Sequence, residues 1–175
     1  MNPAHLHLVL NHLPIIGIPL ATLLLLYAIF SKSKDVLLAA LGATTLVGAL
    51  CIPAFLTGEP AEDIVERRAG VVKDMIEEHE EAAEAGFVAA LAMGGIGAVA
   101  TFWVLKKGTI PGALLAVVVV SQVVASGLLA RAGNLGGVIS HPEIREGQPA
   151  ADGASESGDA PVSEREAEGE RDHDD

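Results

Sequence analysis

The chain is 175 residues long and half of it is apolar, yet its formal net charge is −12. Those properties are compatible only if apolar and acidic residues are segregated, and they are: apolar runs carry almost no charge, while most acids lie at residues 59–84 or after residue 142. This excludes a soluble globule. The acidic balance excludes a nucleic-acid binder, because nothing would neutralise phosphates, and the single cysteine, Cys51, excludes an internal disulfide framework.

Asn2 and Pro3 make a helix opening, an N-cap followed by proline at the first helical position. The stretch HLHLVLNHLPIIGIPLATLLLLYAIF, residues 5–30, then sets three histidines and an asparagine ahead of an apolar run. Residues 13–30 are uncharged and cover about 27 Å at about 1.5 Å per residue, near the thickness of a bilayer core. The run lacks the basic n-region and small-residue cleavage site of a signal peptide, so it is expected to remain as an anchor, kinked near its start by Pro14 and Pro19. SKSKD, residues 31–35, reads as a polar turn, and residues 36–52 as a second span closed by Pro53. Thr57 and Gly58 then turn the chain, and Pro60 opens a short acidic helix.

Residues 71–86 are amphipathic. At about 100° per residue, Val72, Met75, Ile76, Ala82, Ala83 and Gly86 fall within about 60° of His79, whereas Glu77, Glu78, Glu80, Glu81 and Glu84 lie about 100° or more away. His79 therefore belongs to the apolar stripe and the glutamates to a solvated face. The helix is expected to continue as span 3, residues 86–105, with Gly86, Ala90, Gly94 and Ala98 as a close-packing face. A KKGT turn leads to span 4, residues 110–130, in which Gln122 is expected to bond a neighbouring helix. GNLGG, residues 133–137, lacks a Walker lysine and a preceding strand, so it reads as a helix C-cap and tight turn rather than a phosphate loop. After residue 146 the composition cannot bury enough surface to fold.

The expected fold class is all-α: an integral membrane four-helix up-down bundle over residues 1–145, with an acidic amphipathic outer segment and a disordered acidic tail over residues 146–175. The short loops SKSKD and KKGT each carry two lysines, so the positive-inside rule turns both toward the cytoplasm and places both termini and the central segment outside.

With this topology His5, His7, His12, His79 and His141 all lie at the outer end. His12 is 20 residues before Lys32 and Gly86 is 20 before Lys106, while His5 and His79 are each 27 before those lysines. Continuous helices would set His5 level with His79, and His12 about 10 Å deeper, opposite Gly86, where a glycine leaves room for a flat cofactor. His5 and His12 share a face; His7, about 200° from His5, is expected to meet lipid, a loop or solvent. Helices 1 and 3 of an up-down bundle are diagonal and parallel, so their histidines can face one another as axial ligands of a haem iron or as ligands of a smaller ion. The expected ligand set is His5, His12, His79 and His141, holding haem b or a transition-metal ion for electron transfer. Asn11, Glu80 and Glu143 are candidates to orient the second imidazole nitrogens. The rival for each histidine alone is a polar anchor at the membrane interface. Cys51 reads as a small buried hydrophobe. His79-Glu80 is not HExxH, and no nucleophile or general base stands out, so no catalytic residue is assigned.

His12-Leu13-Pro14 at the head of span 1, Thr57-Gly58 after span 2, His79 before span 3, and Gly136-Gly137 followed by His141 resemble the pattern of a family of uncharacterised bacterial four-helix integral membrane proteins. The resemblance covers residues 1 to about 145. It implies a multi-pass protein of the bacterial inner membrane, of b-type haem or redox character, with the bilayer and redox proteins of the membrane as partners. An acidic insertion between Gly58 and His79 and the long acidic tail depart from that pattern. They suggest the alternative of an accessory subunit binding a protein partner through its acidic segments. A transporter is disfavoured, because no charge interrupts the spans and no broken helix repeats in the two halves.

Overall fold

The computed structural model describes residues 2–68 and 70–141; Glu143 and the acidic tail lie outside them. Five helices follow in order: α1 (Pro3–Ser31), α2 (Lys34–Leu56), α3 (Gly58–Val65), α4 (Lys73–Lys107) and α5 (Gly112–Ser140). All but α3 are long and apolar enough to cross a membrane.

The local chemistry explains most of the boundaries. Asn2 Oδ1 accepts from the Ala4 N–H at 2.9 Å, and α1 runs unbroken through Pro14 and Pro19 to a left-handed Lys32. The SKSKD turn shrinks to Lys32 and Ser33, because Ser33 Oγ accepts from the Val36 N–H and so draws Lys34 and Asp35 into α2. Pro53 does not close α2, which continues to Leu56. The loss of one proline N–H is tolerated, and closure falls instead to Thr57, whose hydroxyl is placed to donate to the carbonyls of Pro53 and Ala54 at 3.0 and 2.8 Å. α4 ends at a left-handed Gly108 after its two lysines. The expected C-cap at GNLGG is also corrected, since α5 continues through it to Ser140. Gly133 and Gly136 serve close contacts there, against Ile15 and His79, and the helix ends only before the His141-Pro142 step, where proline disfavours helical backbone.

The buried positions form one narrow stripe per helix. They include Pro14, Ile18, Ala21, Leu25 and Ala28 on α1, Ala82, Gly86, Ala90, Met93, Gly97 and Ala100 on α4, and Val118, Gln122, Ala125, Ala132 and Ile139 on α5. The alternating steps of three and four are those of helices packed at small crossing angles. On α4 the stripe drifts to Gly97, leaving Ala98, expected on the packing face, exposed. Many interior residues are small, whereas Leu20, Leu23, Leu46, Val88, Phe102 and Val120 stand outward. At most a third of each apolar stretch is buried. In water that distribution would be inverted; it suits a bundle whose solvent is lipid and whose helices associate through close packing.

α1 packs on α2 and α5, and α4 on α2 and α5, so α1 and α4 stand on one diagonal. The tightest approach is between α2 and α4, where a Cβ on Gly48 would lie 2.6 Å from Gly94 Cα. At the same interface Phe55 and Phe87 stack with ring centres 4.2 Å apart. Gln122, fully buried, donates through Nε2 to Thr44 Oγ1 at 2.7 Å, the interhelical bond expected of it, here made across the bundle from α5 to α2.

Candidate functional site

The end of the bundle that carries α3 brings together His7 and His79, with ring centres 6.5 Å apart and planes at 84°. His79 lies on the α4 stripe as the helical count requires, with Glu77, Glu78, Glu80, Glu81 and Glu84 all exposed around it. Of the surroundings expected for His7, lipid, a loop or solvent, it takes the turn at Thr57 and the end of α2 beside it, where it also meets His79. The wheel related the three N-terminal histidines to one another, but which of their faces turns inward is decided further along α1. Counting back by seven from Ala28, Ala21 and Pro14 reaches residue 7, and by seven from Leu25 and Ile18 reaches Asn11. That small-residue spacing was the signal that could have selected His7 over its neighbours.

Each ring is anchored through one nitrogen. His7 Nδ1 lies 3.0 Å from the Ala54 carbonyl oxygen and 3.2 Å from Thr57 Oγ1, and His79 Nδ1 lies 3.0 Å from the Ala132 carbonyl oxygen. A carbonyl only accepts, so both Nδ1 atoms carry the proton and both Nε2 atoms present a lone pair. A carbonyl holding the far nitrogen of an imidazole is the arrangement that orients histidine for a metal. Each ring also rests near a glycine. A Cβ on Gly136 would lie 3.0 Å from His79 Cε1, and one on Gly58 would lie 3.8 Å from His7 Cε1. The Thr-Gly and Gly-Gly pairs singled out in the sequence thus have a physical role, one seating each imidazole.

The exposed glutamates are expected to keep this level out of the hydrocarbon, and both rings are only partly buried. Burial lowers the His7 pKa below the ordinary histidine value; its bond to Ala54 offsets part of this and the nearby His79 adds to it. Burial likewise lowers that of His79 against the opposing effect of its bond to Ala132. Both favour the neutral, ligand-competent imidazole.

Among the described residues, no hydrogen bond or ring contact joins His5 or His12 to this pair. His5 and His12 are exposed, and His12 Nδ1 turns back to the Leu8 carbonyl of its own helix. Gly86, expected to leave space opposite His12, instead receives Leu129, whose Cδ2 would lie 2.8 Å from an added Cβ. His141 is exposed at the end of α5, its N–H bonded to the Gly137 carbonyl at 2.9 Å. Glu80 is exposed beside His79, and Cys51 is buried with its thiol toward the Val47 carbonyl. Asn11 lies one turn below His7, and its Oδ1 is buried with no hydrogen-bond partner among the described residues. Among the described residues no three His, Cys, Asp or Glu side chains gather around one metal position. Comparison with protein-family models, curated proteins and solved structures finds no match.

Proposed function

We propose that this chain is a multi-pass protein of the bacterial inner membrane, an up-down bundle with both termini outside, that holds a redox-active metal centre between His7 and His79 and serves electron transfer. The single observation that supports the reading is the paired anchoring: two imidazoles from diagonal helices, each fixed through Nδ1 by a helix carbonyl, with no hydrogen bond to either Nε2 among the described residues. One ion between two opposed imidazoles sets the ring centres about 6 Å apart, allowing about 2 Å per metal–nitrogen bond and about 1 Å from nitrogen to ring centre. The 6.5 Å separation is compatible with that. Iron, as haem b or as an ion, and copper are the imidazole-binding metals that also carry electrons.

The test is an absorption spectrum and metal analysis of the full chain purified from membranes. His7→Ala and His79→Ala are each expected to abolish the bound metal, while His5→Ala and His12→Ala leave it. A colourless, metal-free wild-type protein ends the proposal and leaves the acidic outer face as the place to look for a role.

A further inference from the structure

Asn11 adds a third group to this site, and the argument rests on the reading of His7 and His79 as a metal pair. Its position follows from register. Gly133 of α5 packs on Ile15 of α1, and Gly136 of α5 packs on the His79 ring. α1 and α5 run in opposite directions, so stepping four residues outward from Ile15 reaches Asn11 and stepping three from Gly133 reaches Gly136, about one turn in each case. Asn11 is thereby level with His79 and one turn below His7, on the inner stripe of α1. Its Oδ1 is sealed from solvent and lacks a donor.

A buried amide oxygen without a partner is unfavourable. Asn11 Oδ1, the buried atom here without a partner among the described residues, is an acceptor, and Nε2 of each histidine, with Nδ1 protonated, also accepts. Three acceptors call for an electropositive guest or one bearing protons. A haem does not meet that need, because its iron would take both imidazoles and bring no donor to the amide. Its macrocycle would also have to spread past the edge of the His79 ring, where Gly136 already lies in contact. We infer that the guest is a non-haem transition-metal ion carrying at least one water, bound by Nε2 of His7 and of His79, with Asn11 Oδ1 accepting a hydrogen bond from the metal-bound water. Asn11 is a positioning residue in this arrangement, not a third ligand by necessity.

The experiment uses the full chain in detergent, stripped of metal and titrated with Cu2+ as the probe. Wild type is expected to bind one tight equivalent whose electron paramagnetic resonance shows two imidazole nitrogens. Asn11→Leu, which preserves size and removes the acceptor, is expected to weaken that equivalent about 10–100-fold while keeping the two-nitrogen signature and the helical circular dichroism. Asn11→Asp is expected to restore it. Undiminished affinity in Asn11→Leu overturns the role of Asn11 and leaves the histidine pair standing; a haem spectrum in the protein as isolated does the same. Failure of wild type to bind a tight equivalent, with no haem present, overturns both readings together.

Discussion

The rings of His7 and His79 are held neutral by burial, and that has a cost that appears in acid. For a base whose folded pKa is depressed, the unfolded chain binds more protons in the interval between the two values, so stability rises with pH there. The contribution is fully present above the unfolded value of 6.5 and is lost as pH falls through the lower folded values of these two groups. Melting followed by circular dichroism in detergent, with metal removed, is therefore expected to show a falling midpoint as pH drops below about 6.5. Replacing both histidines by glutamine should flatten that slope, since glutamine can still donate to the Ala54 and Ala132 carbonyls without titrating. An unchanged slope in the double variant would place the acid sensitivity elsewhere. At this scale the sequence was half legible. His79 could be read because its own helix carries a contrast between glutamates and apolar residues. His7 sits in a segment where leucines surround every histidine, so local polarity carries no direction and only the distant spacing of Pro14, Ala21 and Ala28 does.

Between elements, glycines divide into those that admit a neighbour and those that do not, and the two classes give opposite expectations. A methyl on Gly48 would meet Gly94 Cα at 2.6 Å and the Ala90 carbonyl oxygen at 2.8 Å, and backbone cannot swing aside as a side chain can. Gly48→Ala is expected to force α2 from α4 and lower stability by about 1–3 kcal/mol or more. Gly42, on the same helix, has nothing within 4 Å of its added Cβ, so Gly42→Ala should stabilise by about 0.5–1 kcal/mol through the unfolded chain alone. Thermal midpoints of the two variants in one detergent check the pair, and equal shifts of the same sign would contradict the packing described for α2 and α4. The same reasoning explains why helix ends were the least legible feature. Pro53 and GNLGG are breakers by local chemistry, but the former is followed by a threonine that closes the helix and the latter is filled by Ile15 and His79, contacts that no local pattern encodes.

For the whole molecule the decisive asymmetry is in charge. The end of the bundle where α1 joins α2 and α4 joins α5 carries Lys32, Lys34, Lys106 and Lys107, in the turns or the helix ends beside them, while the opposite end bears the acidic α3 and the glutamate face of α4. Lysine-rich short loops resist translocation, so those turns are expected inside and the histidine end outside. The opposite end has its own basic residues: Arg67, Arg68 and Lys73 lie in a longer segment dominated by acids, where the rule carries less weight, while Arg131 on α5 weighs against this orientation. The competition can be measured in a Cys51→Ala background, which removes the one native thiol. A cysteine placed at Asp63 on the exposed side of α3 should react with a membrane-impermeant maleimide on intact cells. One placed at Ser33 in the lysine turn should react only after the cells are opened. The reverse pattern would invert the orientation and move the His7–His79 pair to the cytoplasmic face, where its electron partners would have to be sought instead. Because the pair, the Thr57 clamp and Gly136 all belong to the same end of the bundle, the labelling result fixes the side for every one of them at once.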